Sequence, residues 1–153
     1  MREILFRGKR VDNGEWANGN YVEKIHYYDG SELPCIQVIM QKPSVADRFV
    51  PCFETELVEV IPETVGQYTG IKDKNGKMIF EGDIVAFTAE DELWEPRCYN
   101  EGTVYFCDGT FWVDCGKDSD DCDVLFSIGH AKLCDESLQI IGNIHDNPMM
   151  LEV

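Results

Sequence analysis

Basic residues are scarce in the second half of the chain. Met78–Val153 holds 3 Lys and Arg against 17 Asp and Glu, whereas Met1–Lys77 holds 10 against 12, so most of the formal charge of −16 falls late in the sequence. Phosphate backbones attract cations, so direct nucleic-acid binding is disfavoured and a basic partner is favoured. Long apolar runs are also missing. Nothing approaches the ~18 to 20 consecutive apolar residues of a membrane span, and no basic segment with an apolar run follows Met1. We therefore expect a chain of the cytoplasm.

Metal-binding spacing is absent too. The seven cysteines (Cys35, Cys52, Cys98, Cys107, Cys115, Cys122 and Cys134) include no Cys-x-x-Cys pair, and their number is odd. Closely spaced ligand pairs lower the entropic cost of closing a zinc site, and an even count marks a disulfide framework, so both are disfavoured. Of the three histidines, His26, His130 and His145, only His130 stands near a cysteine at a spacing that would suit a helix, with Cys134. The run Asp118–Asp123 invites calcium, but its sixth position is Asp123 and its twelfth Gly129. An EF-hand needs Gly and Glu there. Gly66–Gly70 is not followed by the Lys-Ser/Thr of a phosphate loop. No spacing fixes a Cys, His and orienting group for nucleophilic catalysis, and the paired acids Glu54 and Glu56 or Asp120 and Asp121 have no apolar setting to raise a carboxyl pKa. Neither a catalytic residue nor a cofactor is implied.

What is present is apolar material and tight-turn chemistry. Hydrophobic residues make up 44% of the 153 residues and aromatics 11%, enough to build a core. Five Asn-Gly or Asp-Gly pairs begin at Asn13, Asn18, Asp29, Asn75 and Asp108. Such pairs accept the positive φ angles of two-residue hairpins. Between them lie short runs rich in Ile, Val, Phe and Tyr, at residues 4–7, 21–28, 35–40, 57–61, 78–80, 84–88, 103–107, 111–115, 124–128 and 138–144. The pattern predicts an all-β chain with at most one or two short helices, the best helical candidate being Phe53–Val60, which fits a strand entry nearly as well. A boundary is expected near Ile61-Pro62-Glu63, dividing an N-terminal hairpin region, 1–62, from residues 63–153, unless 1–153 is one integrated domain. Acidic stretches at Glu90–Arg97 and Gly116–Asp123 read as solvated loops.

The clearest hairpin turns at Asp108-Gly109. A two-residue loop pairs Val104 with Val113 and Phe106 with Phe111 on a core side, and Tyr105 with Trp112 on the other, beside Asp114. That second side is amphipathic, suited either to a partner or to cover by a neighbouring loop.

Three segments carry a resemblance. Arg2–Arg10 with Gly14-Glu15-Trp16, Val65–Gly76 running into Ile79-Phe80-Glu81-Gly82-Asp83-Ile84-Val85, and Ile141–Pro148 together resemble the YopX-like proteins of bacteriophages and prophages. The resemblance implies a phage or prophage accessory protein of unestablished role with a small SH3-like barrel. We expect that barrel in the C-terminal half, with the N-terminal hairpins packed on it. Asn75-Gly76, Gly82, Asp83 and Asn147-Pro148 read as structural punctuation within it. The acidic, cysteine-rich stretch Glu90–Cys134 departs from the family pattern.

These features favour a non-enzymatic binding module whose acidic half engages a protein partner, with Tyr105, Trp112, Asp114, Asp118, Asp120, Asp121 and Asp123 as the candidate surface. A sharper version is a DNA mimic, in which Glu90, Asp91, Glu92 and Glu95 join the later carboxylates to occupy a basic groove. The alternatives are a structural protein that forms a homo-oligomer and a module using Cys and His to bind metal.

Overall fold

The computed structural model describes residues 3–26, 28–43, 53–91, 95–117, 123–129, 131 and 138–151. The chain is all-β, and the described residues form eleven strands: β1 (Phe6–Lys9), β2 (Trp16–His26), β3 (Glu32–Pro43), β4 (Phe53–Glu59), β5 (Gly66–Lys72), β6 (Met78–Phe80), β7 (Asp83–Asp91), β8 (Glu95–Cys107), β9 (Thr110–Lys117), β10 (Asp123–Ser127) and β11 (Gln139–Asn143). Short 3-10 turns at Pro62–Thr64 and Pro148–Leu151 and a helical turn including Ile128, Gly129 and Ala131 complete it. It divides into two compact units, Glu3–Gln67 and Tyr68–Val153.

In the N-terminal unit β1 to β4 form an antiparallel meander in the order β4-β3-β2-β1. The meander closes on itself. Arg10 bridges Val60, the Val11 amide donates to the Glu59 carbonyl at 3.1 Å, and the Ile61 amide donates to the Lys9 carbonyl at 2.8 Å. Pro62 then ends the ladder, the Thr64 hydroxyl accepts from the Lys9 amide at 2.8 Å, and the chain returns to pair Gly66 and Gln67 with Arg7 and Phe6. Ala17, Ile36, Val58 and Val60 fill the interior of this circuit. Residues two apart on a strand share a face, so Arg7 and Lys9 both lie over the Trp16 ring, at 4.6 and 5.6 Å.

The C-terminal unit holds the β5–β6 hairpin and a five-stranded antiparallel sheet ordered β10-β9-β8-β7-β11. Among the described residues its pairings run from β10 to β11 with no closing ladder between them. One face buries Val85, Phe87, Val104, Phe111 and Val113 with Ile79, Ile128, Ala131 and Leu138, and Phe126 packs edge-on against Phe87 at 5.2 Å between centroids. Alternation drives this on β9, where Phe111 and Val113 turn inward and Trp112 and Asp114 outward, whereas Ile84 to Phe87 of β7 are apolar and buried on both faces.

Several expectations need correction. Asn18-Gly19 is not a turn but lies inside β2, where a Cβ on Gly19 would collide with the Gln37 carbonyl oxygen of β3; glycine serves close strand approach there, not hairpin curvature. Phe53–Glu59 takes the strand alternative to the helix, pairing along its length with β3. Glu90, Asp91 and Glu95–Arg97 extend β7 and β8, and Gly116 and Lys117 end β9, so the acidic stretches taken as loops are partly strand; residues 92–94 and 118–122 lie outside the described residues. Phe106, expected in the core, is 45% exposed, since the hairpin tip projects past the interior, although its ring still meets Phe111 at 4.9 Å.

Candidate functional site

The Asp108-Gly109 turn adopts positive φ at both residues, 50° and 80°, which sets the register Cys107↔Thr110, Tyr105↔Trp112 and Thr103↔Asp114. Register then extends the outer face across the sheet. Ser127 lies beside Trp112, Leu125 beside Asp114, Ile84 beside Thr103 and Ala86 beside Glu101. Tyr105 and Trp112 are half-buried, Asp114 is exposed, and Leu125 keeps 42% of its surface open. Of the sequence-derived candidates, Tyr105, Trp112 and Asp114 are thus brought together. Asp123 begins β10 opposite Lys117, and Asp118, Asp120 and Asp121 lie outside the described residues.

Beside the aromatic pair is a cleft of about 410 Å³ lined by Ile84, Glu101, Gly102, Thr103, Asp114, Cys115, Gly116 and Met150. Asp114 holds its rim in place by accepting the Gly116 amide at 2.9 Å. The Cys115 thiol is pushed up to about 11, first by burial and then by the neighbouring Asp114 charge. It is therefore protonated at neutral pH, a poor nucleophile and a poor metal ligand. Cys35 is buried and Cys107 exposed, both as free thiols; Cys52, Cys122, Cys134 and His130 lie outside the described residues. Among the described residues no three His, Cys, Asp or Glu side chains converge to hold a metal ion, and no helix is long and apolar enough to cross a membrane.

Sequence reasoning missed Glu101, Ile84 and Met150. Glu101 was legible, because two-residue periodicity places it on the face of Thr103 and Tyr105. Ile84 needed the β7–β8 register, and Met150 depends on the 3-10 turn that brings it over Gly142.

A second polar cluster lies elsewhere in this unit. Asp83, 1% exposed, accepts the Phe80 amide at 2.8 Å and the Asn143 side-chain amide at 3.2 Å. Asn143 in turn accepts the His145 amide at 2.9 Å, and its own amide donates to Asn147 at 3.2 Å. Gly82, at φ 79°, lets the chain turn there while its amide donates to Val104 and its carbonyl accepts from Ile144, each at 2.9 Å. Asp73 ties the β5–β6 loop by accepting the Asn75 amide at 2.8 Å, the Lys77 amide at 2.9 Å and the Ile140 amide at 3.4 Å. Burial opposes its ionisation, yet the Lys77, Asn75 and Ile140 amides outweigh that and lower its pKa. A depressed folded pKa means stability that is present above the unfolded carboxyl pKa and is lost as pH falls through the folded one. The stability advantage of the native protein over Asp73→Asn, measured by urea unfolding, should therefore be constant near neutrality and shrink below the ordinary Asp pKa of 3.8. These groups hold backbone or one another, so this cluster is architecture and the outer face is the candidate site.

The chain is 27% identical over 133 residues to the SPbeta prophage-derived uncharacterized protein YopX of Bacillus subtilis (strain 168), covering 85% of this chain and 90% of that one. The crystal structure of protein EF1440 from Enterococcus faecalis shares the fold, with a TM-score of 0.54 and 23% identity over 99% of both chains. The profile of the YopX protein family matches residues 5–152, and the chain belongs to that family.

Proposed function

We propose that this chain is a non-enzymatic phage or prophage accessory protein of the bacterial cytoplasm, an SH3-like β-barrel protein that captures a host or phage protein on the outer face of its C-terminal sheet. The observation that carries the reading is the juxtaposition of half-buried Tyr105 and Trp112 with exposed Leu125 and Asp114 on one sheet face. Tyr and Trp supply large, rigid, amphipathic area and dominate binding energy at protein interfaces. Charge favours a basic partner, since Tyr68–Val153 carries 18 acidic and 6 basic side chains. The prophage origin of the B. subtilis relative supports the setting. In the sharper version the carboxylates of Asp118–Asp123 stand in for DNA phosphates on a basic enzyme.

Capture from a bacterial host lysate, followed by mass spectrometry and titration with the purified partner, tests the reading. Tyr105→Ala with Trp112→Ala should weaken binding by about 30-fold, the equivalent of roughly 2 kcal/mol for an aromatic hot spot. An amide-for-acid variant at Asp118, Asp120, Asp121 and Asp123 should lose affinity mainly at low salt if the DNA-mimic version holds. Undiminished capture by the double aromatic variant contradicts the proposal. Leu125 lies on the edge strand β10, so the same face also suits a second copy; light scattering that shows a strict monomer removes that homo-oligomer reading.

A further inference from the structure

We infer that Met150 is an oxidation site at which a hydroperoxide converts the thioether to a sulfoxide, and that the sulfoxide lifts the C-terminal 3-10 turn off Ile84. This chemistry needs no partner and stands apart from the binding role proposed above.

Residues directly paired across an antiparallel sheet share a face, and one such row crosses all five strands of this sheet: Gly142, Ile84, Thr103, Asp114 and Leu125. The far end of the row is open to water, with Asp114 exposed and Leu125 at 42%. Ile84 lies on the same face yet keeps only 4% of its surface. Gly142 beside it has no side chain to cover it. Met150 takes that place. A Cβ built on Gly142 would stand 2.8 Å from Met150 Sδ, so the thioether fills the gap in the row next to Ile84, and both residues line the same cleft. The turn that carries it is held by the Asn147 amide donating to the Asn143 carbonyl at 2.7 Å and the Met150 amide donating to the Asn147 carbonyl at 3.0 Å.

The thioether is within reach of a small oxidant. Met150 is 40% exposed and forms part of the wall of the 410 Å³ cleft, a space large enough to admit a hydroperoxide. A sulfur lone pair attacks one peroxide oxygen and the O–O bond breaks. That oxygen stays on sulfur, its proton passes to the departing hydroxide, and water leaves; sulfur gives up two electrons and the peroxide takes them. The product is polar where the thioether was apolar. Its surroundings do not suit the new oxygen. Ile84 offers no donor, and Asn147 Oδ1, which also stands 3.0 Å from the same Cβ position, is an acceptor already occupied by the Asn143 amide. The sulfoxide is therefore better solvated in water, and reaching water moves the turn and uncovers Ile84. Met149 is the internal contrast: it is 75% exposed, so an oxygen added there is in water from the start and displaces nothing.

The test compares two full-length variants, Met149→Leu, which keeps the thioether at 150, and Met150→Leu, which removes it; leucine is close to methionine in volume and inert to peroxide. Each is treated with dilute hydrogen peroxide, and tandem mass spectrometry of the C-terminal peptide locates the added oxygen. Met149→Leu should gain one oxygen on Met150. Hydrogen exchange at the Asn147 and Met150 amides should then quicken by about tenfold, the scale of a polar atom left without a partner in an apolar place. The methyl signals of Ile84, labelled with ¹³C, should move at the same time. Methionine sulfoxide reductases should reverse both changes. Treated Met150→Leu should match its own untreated form. Four results overturn the inference: no oxygen on Met150 at a peroxide dose that fully converts Met149 in the native chain, a Met150 sulfoxide that leaves exchange and the Ile84 signals unaltered, changes that persist once the sulfoxide is reduced, or the same changes in Met150→Leu.

Discussion

Replacing Asp83 by alanine should destabilise the protein by about 2–4 kcal/mol, because it orphans two buried donors at once. The Phe80 amide and the Asn143 side-chain amide both donate to this carboxylate, and Asn143 lies sixty residues further along the chain. One buried side chain therefore fastens the entry of β7 to the end of β11, which are neighbours in the sheet. The flanking backbone bonds through Gly82 hold the same corner, so its loosening should spread into Val104 and Ile144. Urea unfolding measures the loss. Asp83→Asn, which keeps an acceptor for one of the two donors, should fall between the native protein and the alanine variant. A loss below about 1 kcal/mol for alanine, the scale of a single ordinary hydrogen bond, would contradict the role assigned to Asp83.

Gly102→Ala should cost about 2–3 kcal/mol, the upper part of the roughly 1–3 kcal/mol range for forcing a methyl into a packed site. A Cβ at this position would stand 2.7 Å from a Val113 methyl and 2.8 Å from the Asp114 carbonyl carbon, on the strand that carries Trp112. Neither neighbour can give way easily: Val113 is fully buried and Asp114 contributes backbone. The strand β8 must instead lift from β9, which disturbs the register that assembles the outer face. Gly129→Ala is the control, since nothing lies within 4 Å of its added Cβ. Thermal or urea unfolding of the two variants should show a large loss for the first and almost none for the second. Equal effects would mean that backbone entropy, and not crowding, governs both sites.

Much of the family resemblance in the C-terminal unit falls on residues that hold its turns and strand ends, whereas Tyr105, Trp112 and Asp114 of the proposed surface lie outside those segments. Asp73-Lys74-Asn75-Gly76, Gly82-Asp83 and Gly142-Asn143 spend their polar groups on backbone and, at Asp83 and Asn143, on each other, closing a loop, a strand entry and a strand exit. Such residues specify the fold, whereas a function must be argued from a site.

What could be read from the sequence was local. Asp108-Gly109 announced its hairpin because both residues accept positive φ, and the register that follows brings Tyr105 opposite Trp112 with no further information. The same rule misled at Asn18-Gly19, where the glycine answers to a neighbouring strand invisible in the local sequence. Strand β5 escaped notice because Gly66 and Gly70 dilute its β-branched and aromatic residues, and its pairing partners are distant in sequence. Phe106 shows the limit of alternation: parity assigns a face, whereas burial depends on how far the core extends beneath that face. The cleft required three strands in register and a C-terminal turn, so only Glu101 and Asp114 carried a periodic signal.

The central claim is that partner capture occurs on the outer sheet face and leaves the polar corner at Asp83 and Asn143 untouched. Amide hydrogen exchange of the full chain, with and without the purified captured partner, tests it most directly. Slowed exchange should be confined to Thr103, Tyr105, Trp112 and residues 114–116. Protection that instead gathers at Lys77, Asp83 and Asn143–Asn147, with the outer face unchanged, would contradict it.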